Sequence, residues 1–135
     1  GMVLGVPTLE KICDETFYAD LEGGVLEALG RLFRGRVKLY IYPWKNPQTG
    51  ELVTAESFRV AAGYEHLYAH LRENRFVVPI HRFRERELSI FPGDVLERIQ
   101  ADDPSWETMV PAPVVPVIKS RGFFGHAGSR RGGKV

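Results

Sequence analysis

The hydrophobic period of this chain changes across a single glycine, and that change limits the fold more than any other feature. In "DLEGGVLEALGRLFRG", residues 20–35, Leu21, Val25, Ala28, Leu29 and Leu32 fall at i, i+4, i+7, i+8 and i+11. That is the stripe of an amphipathic helix. In "RVKLYIYP", which follows at once, Val37, Leu39 and Ile41 alternate with Lys38, Tyr40 and Tyr42. That is the pattern of a half-buried strand. The chain therefore has to combine helix and sheet. Gly35 suits the left-handed position just past a helix end. Glu27 and Arg31 form an i, i+4 pair with the acid first, the favourable order.

The other segments extend this picture. "PTLEKICDE" reads as a short helix with Thr8 as N-cap. "WKNPQTGE" holds two turn signals, and "ELVTAESF" is expected to return antiparallel to the first strand. "GYEHLYAHLREN" is helical with Leu67, Tyr68 and Leu71 inward and Asn74 near its end. "RFVVPIHRFRERELSIF" fits an extended piece at Val77 and Val78 and no continuous helix through Pro79. "PGDVLERIQ" is a helix. In "DDPSWETMV", Asp103 caps, Pro104 takes the first helical position and Trp106 packs inward. "PAPVVPVIKSRG" ends in a short helix closed by Gly122. The expectation is an α+β fold: a mostly helical single domain over 7–125 with a small two-stranded antiparallel β element. Residues 1–6 are expected as a flexible start, with Gly1 a scar of tag removal. Residues 126–135 are expected as a disordered basic tail.

Composition excludes several classes. The chain has 135 residues, 44% hydrophobic and 26% charged, with net charge +1, an ordinary globular balance that does not demand a nucleic-acid partner. No apolar run is long enough to span a bilayer, so no membrane partner is expected. The opening residues lack a signal-peptide pattern, and the single Cys13 cannot form an internal disulfide. Together these point to the cytoplasm.

The chemical handles are few. Gly23, Gly24 and Gly30 miss both phosphate-binding spacings, G-x-x-x-x-G-K-[ST] and G-x-G-x-x-G, so they read as points of close helix packing. His66 and His70 have the i, i+4 spacing of two metal ligands, with Glu73 one turn on. They lack the intervening general base of H-E-x-x-H, and no metal or other cofactor is expected. In "HRFRERE", Arg82, Arg84 and Arg86 share one side if the segment is extended; with His81 they are the candidates for holding an anion. Lys119, Arg121, Arg130, Arg131 and Lys134 form a second basic region, with only Phe123 and Phe124 for stacking. Asp14 and Glu15 beside Cys13 disfavour its thiolate. Asp102 and Asp103 read as a helix cap. Tyr40, Tyr42 and Trp44, clustered near the expected hairpin, are candidate partner contacts.

Four blocks, "PTLEKI", "LEGGVLEALGRLFRGRVKLYIYP", "FRVAAGYEHLYAHLREN" and "DDPSWETMVPAPVVPVIKSRGFFG", give the chain a likeness across residues 7–125. It resembles a region of bacterial proteins labelled nicotinamide or nicotinate mononucleotide adenylyltransferases, some of them also labelled TonB-dependent receptors. The receptor label does not suit a chain with no barrel and no signal peptide. The adenylyltransferase histidine motif has no counterpart, since "GFFGHAG" lacks its proline and second histidine. The resemblance implies an accessory domain, or a chain whose enzyme part lies elsewhere, and it assigns no catalytic residue.

No catalytic constellation is complete. The leading expectation is an accessory module that binds a partner protein or itself. The alternative is a domain of a nucleotide-binding enzyme that holds a phosphorylated small molecule. Nucleic acid is not expected as a partner.

Overall fold

A computed structural model describes residues 1–127, and the chain divides into two compact units, Gly1–Arg84 and a second beginning at Glu85. The expected single domain is thus two bodies. The part of the expected tail at residues 128–135, with Arg130, Arg131 and Lys134, lies outside the described residues.

The first unit is built on a three-stranded parallel sheet. Strand β1 (Met2–Gly5) leads directly into helix α1 (Val6–Cys13), then a 3-10 turn (Glu15–Tyr18) and helix α2 (Gly24–Leu32). The central strand β2 (Leu39–Tyr42) follows. Short strands β3 (Trp44–Lys45) and β4 (Leu52–Val53) form an antiparallel hairpin. Helix α3 (Glu65–Glu73) then precedes strand β5 (Val77–Pro79). The sheet order is β1-β2-β5, with Met2 opposite Leu39 and Leu39 opposite Val77.

This corrects the expected strand pairing. The antiparallel element exists, but its first strand begins at Trp44, and "KLYIY" pairs in parallel with two strands that alternation did not reveal. Residues 1–6, expected as flexible, contain β1. Both outer strands are too short to show a period of two, and parallel strands read as plain apolar runs.

Helix ends are also corrected. Gly5 is the N-cap of α1, with Pro7 in the first turn and Thr8 inside the helix. Gly24 adopts φ 54° at the start of α2, so Leu21 lies outside the helix. Gly24 and Gly30 do not serve close packing: a Cβ added at either would meet nothing within 4 Å, and Gly30 is exposed. Gly24 is needed for its left-handed backbone instead. Gly35, at φ 85°, takes the left-handed role expected of it. Asn74 ends α3 by donating from Nδ2 to the His70 carbonyl at 2.9 Å.

In the second unit, a 3-10 turn (Glu85–Ser89) precedes helix α4 (Pro92–Gln100). A 3-10 turn at Pro104–Thr108 and helix α5 (Val115–Arg121) follow. Ile99, Ile118 and the buried Trp106 form its core. Asp103 caps as expected, accepting from the Ser105 backbone N–H at 2.9 Å. That hydrogen bond, first among its causes, holds the Asp103 carboxyl below the usual range. Gly122 closes α5 at φ 61°.

Candidate functional site

The sheet order determines what the first unit exposes. Parallel crossovers are almost always right-handed. The two connections, β1 to β2 and β2 to β5, step the same way across the sheet, so both place their helices on one face. The buried core agrees. Val6 and Leu9 of α1, Val25 and Leu29 of α2, and Tyr68 and Leu71 of α3 cluster with Leu39, Ile41 and Val77. The alternate residues, Val3, Tyr40 and Val78, are partners in the register and share the opposite face. Val3 is 70% exposed and Tyr40 37%, and Val78 is half-buried. All-parallel sheets normally have both faces covered; this face is bare at Val3 and Tyr40 and half-covered at Tyr42 and Val78.

Two of the aromatic contact candidates lie here. Tyr40 and Tyr42 are on the bare face, and the Tyr42 ring meets Phe83 edge to face at 6.4 Å between centroids. The Tyr40 ring lies so close to Gly1 that a Cβ there would be 2.6 Å from its Cε2. Trp44 differs, packing half-buried against the core. Lys38 is exposed two residues before Tyr40 and makes no ion pair among the described residues.

The anion candidates are not brought onto one strand. His81, Arg82 and Arg84 are exposed in the stretch after β5. The extended geometry needed to align three arginines ends there, because Arg86 sits in the 3-10 turn at the start of the second unit. Arg84 is already engaged within the chain, whereas Arg82 and Arg86 make no ion pair among the described residues. His66 and His70 are both exposed on α3, and Asn74 Nδ2 lies 3.2 Å from His70 Nδ1. Among the described residues, no three His, Cys, Asp or Glu side chains gather as a metal site. Among the same residues, no helix is long and apolar enough to cross a membrane.

The N–H groups of Gly23 and Gly24 already have partners within the chain. The Gly23 N–H donates to Glu27 Oε2 at 3.0 Å, and Glu27 Oε1 accepts from Arg31 at 2.6 Å. The first turn of α2 thus has its own carboxylate, which fills the place an anion would take. The Gly23 bond, ahead of Arg31, lowers the Glu27 pKa. Cys13 is packed against the core, and burial pushes its thiol up to about 11. The cavity beside it, of about 10 Å³, is too small for a substrate. Burial likewise raises the pKa of Tyr68, whose hydroxyl donates to the Ala55 carbonyl at 2.5 Å.

No family model, curated protein or solved structure matches the chain.

The sequence names Phe123 and Phe124 for stacking but does not show how the second unit presents them. Phe123 and Phe124 are 43% and 61% exposed, and Phe124 is held at φ 57°. The backbone on either side is anchored. Gly125 lies against Gln100, and His126 meets the buried Trp106 at 5.8 Å. The Arg121 guanidinium lies 5.8 Å from the Phe123 ring centre. Lys119 is spoken for, paired with Glu107 at 2.5 Å.

Proposed function

We propose that this chain is a cytoplasmic protein-interaction module whose bare sheet face receives one amphipathic helix from a partner protein. The observation that carries the reading is the exposure of Val3 and Tyr40 on an all-parallel sheet. Three strands spaced about 4.8 Å apart, each about four residues long, present a patch roughly 14 Å by 13 Å. That matches the 10–12 Å diameter of a helix, approximately. Two such patches placed face to face fall far short of the roughly 1,200 Å² that a stable dimer buries, which argues against a second copy on this face alone. Lys38 at the margin, with no ion pair among the described residues, favours acidic residues beside the partner's apolar stripe. The free, core-packed Cys13 fits a reducing compartment. The resemblance to bacterial nucleotide-metabolism proteins makes an enzyme of that class a natural host or partner.

A defined probe tests the reading. A 14-residue helical peptide with leucines at i, i+3, i+4 and i+7 and glutamates elsewhere is titrated into the ¹⁵N-labelled chain. The expected shifts centre on Val3, Tyr40, Tyr42 and Val78 and vanish in Tyr40→Lys. Shifts centred elsewhere, or none at millimolar peptide, would contradict it.

A further inference from the structure

A second site lies at the edge of the same sheet, and its chemistry differs. The end of α3 and strand β5 border a cleft of about 600 Å³, within the size range of small-molecule sites. Val77, Val78 and Pro79 provide its apolar part, and Arg72, Arg75, Glu56, Glu73 and His81 its polar part. Among the described residues, neither arginine and neither glutamate is in an ion pair, although all four line one cleft. Opposite charges held apart in this way remain available to a ligand.

Arg75 is also placed against backbone preference. The Phe76 N–H bonds back to the Leu71 carbonyl at 2.9 Å, closing α3 as a Schellman turn, with Arg75 in the left-handed position at φ 60°. Glycine is the usual occupant of that position, and α5 does use Gly122 there. Arg75 occupies that position at a backbone cost that glycine would avoid, as Arg36 does at φ 64°.

The groups define a ligand class. Guanidinium forks suit phosphate. Carboxylates accept hydrogen bonds from hydroxyl groups. The carbonyl end of α3 is electronegative, so a bare anion gains little there without both arginines. Apart from the His81 imidazole, no aromatic ring lines the cleft, so there is no platform for stacking a nucleobase. We propose that this cleft binds a sugar phosphate, with Arg72 and Arg75 on the phosphate, His81 as a further donor, and Glu56 and Glu73 on sugar hydroxyls. The cleft shares Val78 with the bare face, but the proposal does not rest on helix docking there.

The test is calorimetric titration of the full chain with ribose 5-phosphate, inorganic phosphate and adenosine monophosphate. Ribose 5-phosphate should bind saturably and more tightly than the other two. Arg72→Gln and Arg75→Gly should each weaken it by about tenfold or more, the loss of one charge-assisted contact. Arg75→Gly should melt no lower than the parent, because glycine adopts φ 60° freely, so its lost affinity cannot be put down to unfolding. The proposal is overturned by no saturable binding at millimolar ligand, by equal affinity for inorganic phosphate, by tighter binding of the nucleotide, or by parental affinity in Arg75→Gly.

Discussion

The two faces of the three-stranded sheet are made by the same strands, one residue out of step, and they have opposite fates. Leu39 and Ile41 are 0% and 1% exposed, while Tyr40 between them is 37% exposed. Residue type does not explain the difference, since Val3 is as apolar as Val77 and is the most exposed large hydrophobic of the sheet. What separates them is the path of the chain. Two same-handed crossovers stack all three helices of this unit on one side and leave the other without a helix of its own.

The largest expected effect falls on the covered face. Ile41→Ala should cost about 2–5 kcal/mol in urea unfolding, the range for truncating a buried aliphatic side chain. Val3→Ala, on the same sheet, should stay within about 0.5 kcal/mol, the range for surface substitutions. Equal losses would break the contrast.

Two glycines of α2 sharpen the account through opposite signs. Gly24→Ala should destabilise by about 1–2 kcal/mol, because its φ is left-handed. Gly30→Ala should stabilise by about 0.4–1 kcal/mol, because the position is exposed helix interior with open space for a methyl group. If Gly30→Ala destabilised instead, close packing at that glycine would be restored as the explanation.

The covered face should also show in alkaline unfolding. Burial raises the Cys13 pKa from an unfolded value near 9.0 to about 11. The unfolded chain therefore releases this proton first, and the contribution is complete below pH 9. It should fade as pH rises through 9 to 11, with Tyr68, also raised by burial, acting in the same direction at higher pH. Cys13→Ala should flatten the decline in urea midpoint across that window. The smallest effect belongs to the second unit. Phe124→Gly should leave the melting temperature unchanged or slightly higher, since it removes an exposed ring from a left-handed position.

Legibility in the sequence followed the range of the interactions involved. α2, β2, α3, α4 and α5 each carry their own apolar period or stop signal, and Asp103, Asn74, Gly35 and Gly122 act locally as residue chemistry dictates. β1 was not legible, and β5 was legible only as an extended piece at Val77 and Val78 without a partner. "MVLG" and "VVP" become strands only because β2 lies between them, and pairing across some 35 residues leaves no local mark. The roles of Gly24 and Gly30 were misread for the same reason, since a stripe shows which side faces the core but not how much space lies beyond the other. Tyr40 and Tyr42 were legible as candidates from their type, but the bare face that gives them significance comes from topology. The Arg72–Arg75 cleft was not legible at all, because it depends on how α3 lies beside β5 once that extended piece pairs with β2.

The most direct test of the central claim is a thermal melt of Tyr40→Lys beside Ile41→Lys. A bare face tolerates a solvated ammonium, so Tyr40→Lys should melt cooperatively close to the parent while Ile41→Lys fails to fold. Comparable loss of structure in both would mean that the two faces are equally covered, and the docking surface proposed for this chain would not exist.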